Sequence, residues 1–199
     1  MRKGAIDGLT AKQKLTMFHG SAVSASEALA MQDEDITFDL MVRHAIRPVN
    51  MIAAGIRGTT LKRFKVLEAS QLRRLDFDAL HLVDPEWCAD ASAAYGAANI
   101  ISAFLVSAND AVALSGSEAV KILNISVETL LEACAGSPIE AVSVIQQSTD
   151  PNPLQGVQAR VLLDTGIRSQ QLKQLGYGLV SLQSMINLTA EHVRKLGFV

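Results

Sequence analysis

The stretch that decides the fold runs Ile167-Arg168-Ser169-Gln170-Gln171-Leu172-Lys173-Gln174-Leu175-Gly176-Tyr177. Leu172 and Leu175 are three residues apart, so their side chains share one face of a helix. Gly176 follows where such a helix would end, because glycine readily adopts the left-handed conformation that helix ends often need. The aromatic ring of Tyr177 would then fold back under the last turn. The stretch therefore predicts a repeat of 11 residues, made of one short helix and one turn.

Similar stretches recur along the chain. Their shared pattern is an apolar residue, a basic residue, any residue, Leu or Phe, usually a turn-tolerant residue, and then an aromatic or aliphatic residue. They lie at residues 56–66, 67–77 and 188–198, with a weaker version at 120–125. The predicted helix-ending residues are Gly176, Gly197, Asn124 and Asp76. Hydroxyl groups upstream can accept hydrogen bonds from the first turn, and the predicted N-caps are Ser169, Thr189 and Thr59.

A single repeat of this size cannot bury its apolar face alone, so several repeats must stack on one another. Two alternatives remain open. Any short amphipathic helix that ends in glycine gives a similar string of residues. A leucine-rich repeat has a similar apolar skeleton, but it needs a ladder of asparagines and a regular period. The irregular starts that count against it are Leu61, Leu72, Val120, Leu172 and Val193.

The repeat resembles the degenerate short helical repeats of the form Ser-x-x-x-Leu-Lys-x-Ala/Leu-Gly-Phe that occur in many microbial and large-virus proteins. The resemblance covers about a third of the chain, in the stretches given above. It implies stacked helices and a role in interaction rather than any activity. Residues 56–66 and 120–125 depart from the form because they lack its glycine.

The composition agrees with tightly packed helices. Of the 199 residues, 49% are hydrophobic and only 5% are aromatic, and the alternating runs typical of strands are scarce. We therefore predict an all-α fold of about ten to fourteen short helices, stacked as an irregular array or solenoid. We expect a flexible tail at residues 1–8, followed by a single helical domain at 9–199 with a candidate hinge near 149–153.

Several helices can be predicted individually. Asp84 and Pro85 favour the start of a long helix that continues to about Val106, and Gly96 would bend or break it. Nearer the N-terminus, we predict helices at residues 10–18 and 27–31, with a solvated acidic loop at 32–35 between the second of them and the next helix.

The charge distribution is uneven, although the formal net charge is only −2. Residues 43–74 carry eight basic residues against Glu68, and residues 75–150 carry eleven acidic residues against Lys121. Such asymmetry can steer association. The basic residues form the candidate interaction site, and they are Arg43, Arg47, Arg57, Lys62, Arg63, Lys65, Arg73 and Arg74.

Three interpretations of the basic segment compete. In the first, it is a solvated face or one that pairs with the acidic half of the same chain. In the second, it is a docking surface for an acidic protein or for residues 75–150 of another copy, and charge reversal at Arg63 and Arg73 would then abolish assembly. In the third, it is a nucleic-acid surface, for which phosphate contacts need Lys and Arg. Base stacking would also need exposed rings, whereas Phe64 and Phe77 are predicted core residues.

The sequence contains no motif that predicts a reaction, since it has neither a phosphate-binding loop nor a nucleophile elbow. Cys88 and Cys134 lie in apolar, Ala-rich surroundings that favour buried thiols in a reducing compartment. The four histidines are scattered without zinc spacing, at His19, His44, His81 and His192. We therefore predict no catalytic residue, no metal and no cofactor.

The sequence shows no secretory signal and no apolar run of the ~20 residues that a membrane span needs. We therefore expect an intracellular, cytoplasmic protein. The preferred function is that of a non-enzymatic structural or protein–protein interaction protein, a component of a larger assembly. The alternatives are a nucleic-acid-binding helical module and an enzyme of an unrecognised helical fold.

Overall fold

The fold is known from a computed structural model, which describes residues 8–13, 29 and 36–198. In these residues all regular structure is helical and no residue lies in a strand. The predicted all-α class is therefore confirmed. Most of the predicted tail at 1–8, most of the two predicted N-terminal helices and the acidic loop at 32–35 lie outside the described residues.

Helices follow one another almost without interruption between residues 36 and 198. The α-helices are α1 Phe38–Arg43, α2 Pro48–Ala53, α3 Gly58–Leu61, α4 Ala69–Arg74, α5 Pro85–Tyr95, α6 Ala97–Phe104, α7 Ala108–Leu114, α8 Glu118–Ile122, α9 Val127–Ala133, α10 Pro138–Gln147, α11 Ala159–Asp164, α12 Ser169–Gln174, α13 Leu179–Met185 and α14 Ala190–Leu196. Two 3-10 segments are Lys62–Phe64, which continues α3, and Ala79–Val83.

Many of these helices end in the same way. A residue with positive φ is the C-cap or follows it, and the next amide donates to a carbonyl five residues back, which satisfies backbone groups that the helix end leaves open. In the stretch quoted first, Gly176 has φ 88° and the Tyr177 amide donates to the Leu172 carbonyl over 2.8 Å. The same arrangement occurs at Ala45–Ile46, Gly55–Ile56, Lys65–Val66, Asp76–Phe77, Asn124–Ile125 and Gly197–Phe198.

Seven of the left-handed residues recur at intervals of ten or eleven, at positions 45, 55, 65 and 76 and again at 156, 166 and 176, whereas those at 96, 116, 124, 136 and 197 do not keep this spacing. In each of the seven except Gly176 the next side chain is buried. The predicted repeat of one short helix and one turn is thus present, and "repeat" below means such a helix with its turn. Lys65 and Asn124 form the turn although they stand where the repeat would have its glycine, at φ 61° and 53°.

The chain divides into two compact units. Among the described residues, the first compact unit takes those up to His81 together with Glu86–Ala103, and the second takes Leu82–Pro85 together with residues 104–198. The predicted hinge near 149–153 lies inside the second compact unit. The prediction of a single domain stays a prediction.

Within each compact unit, side-chain hydrogen bonds join residues about three repeats apart. In the first unit the Tyr95 hydroxyl donates to the Val66 carbonyl over 3.1 Å, across 29 positions. In the second unit Ser115 Oγ and Gln147 are joined across 32 positions, and Ser169 and Gly197 across 28. Such contacts join repeats that could not bury an apolar face alone. The solenoid arrangement itself stays a prediction.

Local sequence rules hold at some helix starts and fail at others. Thr189 is an N-cap, and its Oγ1 accepts from the His192 amide over 3.2 Å. The predictions for Ser169 and Thr59 are wrong, because both lie inside helices whose N-caps are Arg168 and Arg57. The predicted break at Gly96 is confirmed, since this residue separates α5 from α6 at φ 85°.

Candidate interaction surface

The eight basic residues of segment 43–74 all lie in the first compact unit. Seven of them are exposed and Arg73 is half-buried. This surface is called the basic segment below. The structure therefore leaves these charges accessible to solvent, which a docking surface requires.

Most of these charges sit where a helix favours them. Arg43 lies in the last turn of α1, and Arg73 and Arg74 lie in the last turn of α4. Lys62 and Arg63 lie in the 3-10 turn that ends the third repeat. Cations near the negative end of the helix dipole are stabilising, typically by about 0.3–1 kcal/mol. Part of the charge pattern thus has a structural cause that needs no partner.

Arg47 and Arg57 are different, because they are N-caps of α2 and α3, at the helix end that disfavours a cation. Each of them has a carboxylate partner. Arg47 Nη1 lies 3.3 Å from Asp76 Oδ2, and Arg57 Nη2 lies 2.8 Å from Glu86 Oε2. Both pairs are exposed, so each contributes at most about 1 kcal/mol to stability. For these two arginines, the acidic half of the same chain does supply the partner.

Two further cations of the segment lie over aromatic rings. The Arg74 guanidinium is 4.8 Å from the centre of the Phe38 ring, and Lys62 Nζ is 5.5 Å from the centre of the Tyr95 ring. One group of contacts lies where the end of α4 meets α1 and the start of α2. Arg57 and Lys62 instead lie at the two ends of α5, beside Glu86 and Tyr95.

The acidic residues of 75–150 are shared between the two compact units, and many of them begin helices. Asp110, Glu118, Glu128 and Glu140 all lie in first turns, where the helix dipole favours an anion. Glu118 also pairs with Lys121 at 2.9 Å. Part of the acidic charge therefore also has a structural cause that needs no partner.

The two cysteine thiols are poorly suited to act as nucleophiles. Burial raises the pKa of the Cys88 thiol to about 11. Burial and the nearby Glu140 carboxylate raise that of Cys134 to about 11 as well. A thiol with such a pKa is almost wholly protonated at neutral pH and is a poor nucleophile.

Two described histidines have structural roles. His81 Nδ1 lies 2.7 Å from Asp78 Oδ1 and completes a turn in which the Leu80 amide also donates to Asp78. His192 takes part in the cap of α14. His19 lies outside the described residues. Among those described, no group of three or more His, Cys, Asp or Glu could hold a metal ion.

The second compact unit contains an open cleft of about 260 Å³. Its two carboxylates are already engaged, because Glu128 accepts from the Gln158 amide and Asp150 accepts from the Asn152 amide. The remaining polar lining consists largely of hydroxyl groups, including those of Ser126 and Ser148. The cleft therefore offers hydrogen-bonding groups of both backbone and side chains.

Sequence reasoning missed a set of exposed apolar side chains in the first compact unit. Val49 and Ile52 on α2 are 65% and 50% exposed, and Leu80 is 66% exposed. A signal was present, since Val49 and Ile52 are three residues apart and share a helix face. In the same helix Pro48, Asn50 and Met51 are buried.

Comparison with known proteins gives no significant match to any family model, any curated protein or any solved structure. In the part of the chain that the structure describes, no helix is both long enough and apolar enough to cross a membrane.

Proposed function

We propose that this protein is a non-enzymatic interaction protein, a component of a larger assembly, which docks through its basic segment on an acidic protein surface. The observation that carries the proposal is the exposure of the segment: seven of its eight cations are exposed on one compact unit. The raised pKa values of both thiols support a role other than catalysis. The partner is another protein or the acidic region of a second copy.

Protein docking is favoured over nucleic-acid binding by the state of the aromatic rings. Binding of single strands relies on exposed rings on which bases stack. Phe64 and Phe77, the two phenylalanines nearest the cations in sequence, are buried. Tyr95 is buried too, and its hydroxyl group is bonded to the Val66 carbonyl.

The test compares two double variants by light scattering at low and high salt. Arg43→Glu with Lys65→Glu removes two exposed cations from the basic segment. Lys173→Glu with Arg194→Glu makes the same change of charge at two last-turn cations of the second compact unit. We expect wild-type assemblies that dissociate in high salt, loss of assembly in the first variant and retention in the second.

Loss of assembly in both variants would contradict the proposal, because net charge alone would then explain assembly. Retention in both would contradict it as well, because the basic segment would not be needed. If the wild type does not assemble, pull-downs with the same variants test a different protein partner. Binding to single-stranded nucleic acid that weakens steeply with salt, lost in the first variant only, would replace protein docking by the nucleic-acid alternative.

A further inference from the structure

The second compact unit has another open cleft, which lies between the start of α11 and the turn that joins α13 to α14. Its volume is about 450 Å³, and its lining residues all belong to this compact unit. The Gly156 amide donates to the Met185 carbonyl over 3.0 Å, which joins one wall of the cleft to the other. Helices α11 and α14 also pack against each other, so the fold holds the shape of the cleft.

The polar side chains of this cleft can all donate hydrogen bonds. They are Gln158, Arg160, Asn187 and His192, and among the described lining residues none is Asp or Glu. The lining therefore carries the positive charge of Arg160 and no negative charge. Hydrogen bonds that involve an ionised group are about twice as strong as those between neutral groups, so the lining favours an anionic ligand.

The Arg160 guanidinium makes no hydrogen bond to any described residue. Its Nε atom lies 3.8 Å from Asp164 Oδ2, which is beyond hydrogen-bond distance, and 78% of the side chain is exposed. The Glu191 carboxylate, next to His192 in the chain, is held by Lys195 at 2.8 Å. Arg160 can therefore present two parallel N–H groups to a phosphate or a carboxylate, and its planar fork matches the geometry of both.

His192 offers a second, well-defined donor. The Thr189 amide donates to His192 Nδ1 over 3.3 Å, so the ring proton lies on the other nitrogen, Nε2. Thr189 Oγ1 in turn accepts from the His192 amide over 3.2 Å, and this capping box holds the ring in place. Within the described part of the chain Nε2 has no acceptor, which leaves it available to a ligand.

Much of the remaining lining is apolar. Val157 and Ala159 are buried, and Met185 is half-buried. The backbone amide of Gln158, at the start of α11, already donates to Glu128 over 3.3 Å, so side chains rather than this helix start would hold an anion. Ligand sites commonly combine an apolar lining with a few placed polar groups. A ligand with an anionic group and an apolar part therefore fits this cleft better than a free inorganic ion.

We propose that this cleft binds a small organic anion. Its phosphate or carboxylate group accepts hydrogen bonds from Arg160 and His192, and its apolar part lies against Val157 and Met185. The site shares no residue with the basic segment and belongs to the other compact unit. The inference therefore goes beyond the proposed function, and either of them can fail without the other.

The test measures binding by isothermal titration calorimetry at fixed pH and ionic strength. The probes are phenyl phosphate and phenylacetate, each compared with its small counterpart, inorganic phosphate or acetate. We expect saturable binding of at least one phenyl compound, with a dissociation constant on the order of 1 mM. The tighter of the two identifies the anionic group as a phosphate or a carboxylate. Its small counterpart should bind at least about threefold more weakly, because it has no apolar part to bury.

Two variants remove the donors and keep the fold. Arg160→Gln removes the charge of an exposed side chain. His192→Glu puts in a residue that completes the capping box with Thr189 equally well, while its carboxylate repels an anion. We expect each variant to raise the dissociation constant by about tenfold.

Each variant has a control with the same change of charge outside the cleft. Arg194→Gln alters an exposed arginine of α14, and Gln170→Glu adds an acid in the first turn of α12, where the helix dipole favours it. Both controls should leave the dissociation constant within about twofold of the wild-type value. Circular dichroism checks that all four variants remain helical.

Nuclear magnetic resonance locates the site. The ring signals of His192, assigned by their absence in His192→Glu, should shift saturably with the ligand, whereas those of His44 and His81 in the first compact unit should not.

No saturable binding of either phenyl compound at concentrations up to about 20 mM would overturn the inference. Controls that weaken binding as much as the test variants would overturn it too, because net charge would then explain the binding. A small counterpart that binds as tightly as its phenyl compound would overturn the assignment of an organic ligand. None of these results bears on the basic segment, whose test is the loss of assembly when Arg43 and Lys65 are reversed.

Discussion

Gly58 and Ala91 pack backbone against backbone: a Cβ atom placed on Gly58 would lie 2.7 Å from the Ala91 Cα and 3.0 Å from its nitrogen. Beside this contact, the Thr59 amide donates to Asp90 Oδ2 over 2.8 Å. The start of α3 therefore lies directly on α5, and no flexible side chain stands between them to give way.

We expect Gly58→Ala to lower the free energy of unfolding by about 1–3 kcal/mol, because a backbone must shift to make room. The control is Gly178→Ala, where nothing lies within 4 Å of the added carbon and φ is −81°. There we expect a change within about 0.5 kcal/mol. Urea denaturation measures the free energy of unfolding of both variants. Equal losses in the two would show that the close approach at Gly58 does not cause the destabilisation.

Replacing alanine by glycine should stabilise the protein at position 45 and destabilise it at position 93. Ala45 has φ 50°, a conformation that costs an L-residue about 1–2 kcal/mol. Ala45→Gly should therefore stabilise the protein by up to about 1 kcal/mol, after the added freedom of the unfolded chain is subtracted.

Ala93 is exposed in the interior of α5, where Ala93→Gly should destabilise by about 1 kcal/mol. Thermal and urea unfolding of the two variants give the comparison. A loss of stability at both positions would contradict the left-handed conformation of Ala45.

Stability should fall at alkaline pH. Both thiols have a pKa near 11 in the folded protein, above the ordinary value of 9.0, so the unfolded chain loses these protons first. Their contribution is fully present below pH 9 and is lost as pH rises toward 11. Burial, and then the nearby Asp90, raise the pKa of Tyr95 in the same direction.

Urea unfolding between pH 8 and pH 11 measures this dependence on the two thiols. A constant free energy of unfolding over the range would contradict it. The thiols should also react slowly with a thiol reagent in the native protein at neutral pH and rapidly after unfolding, which serves as a control for their burial.

The sequence predicts the all-α class well because many helices end at residue types that favour a left-handed turn. Gly176, Gly197 and Asn124 mark left-handed turns that the structure contains. The ten-residue spacing is not evident in the sequence, because Ala45 and Lys65 occupy turn positions although neither is a residue type that favours positive φ. There the tertiary contacts of the following buried residue, Ile46 or Val66, outweigh local preference.

The candidate site is less predictable, since it depends on which repeats meet. Charge counts identify the basic segment, but they do not reveal that Arg47 and Arg57 face Asp76 and Glu86. Nor does the sequence indicate that Leu80 is 66% exposed while Ala79, beside it, is buried.

The hydrogen bonds that side chains make between separate repeats span 27 to 32 positions, as from the Tyr95 hydroxyl to the Val66 carbonyl or from the Arg168 guanidinium to the Lys195 carbonyl. The entropic cost of closing a loop depends on its length, and here that length is nearly constant. Each such contact in either compact unit therefore closes a loop at a similar cost in chain entropy, so no one of them is set apart as the late, expensive contact of the fold.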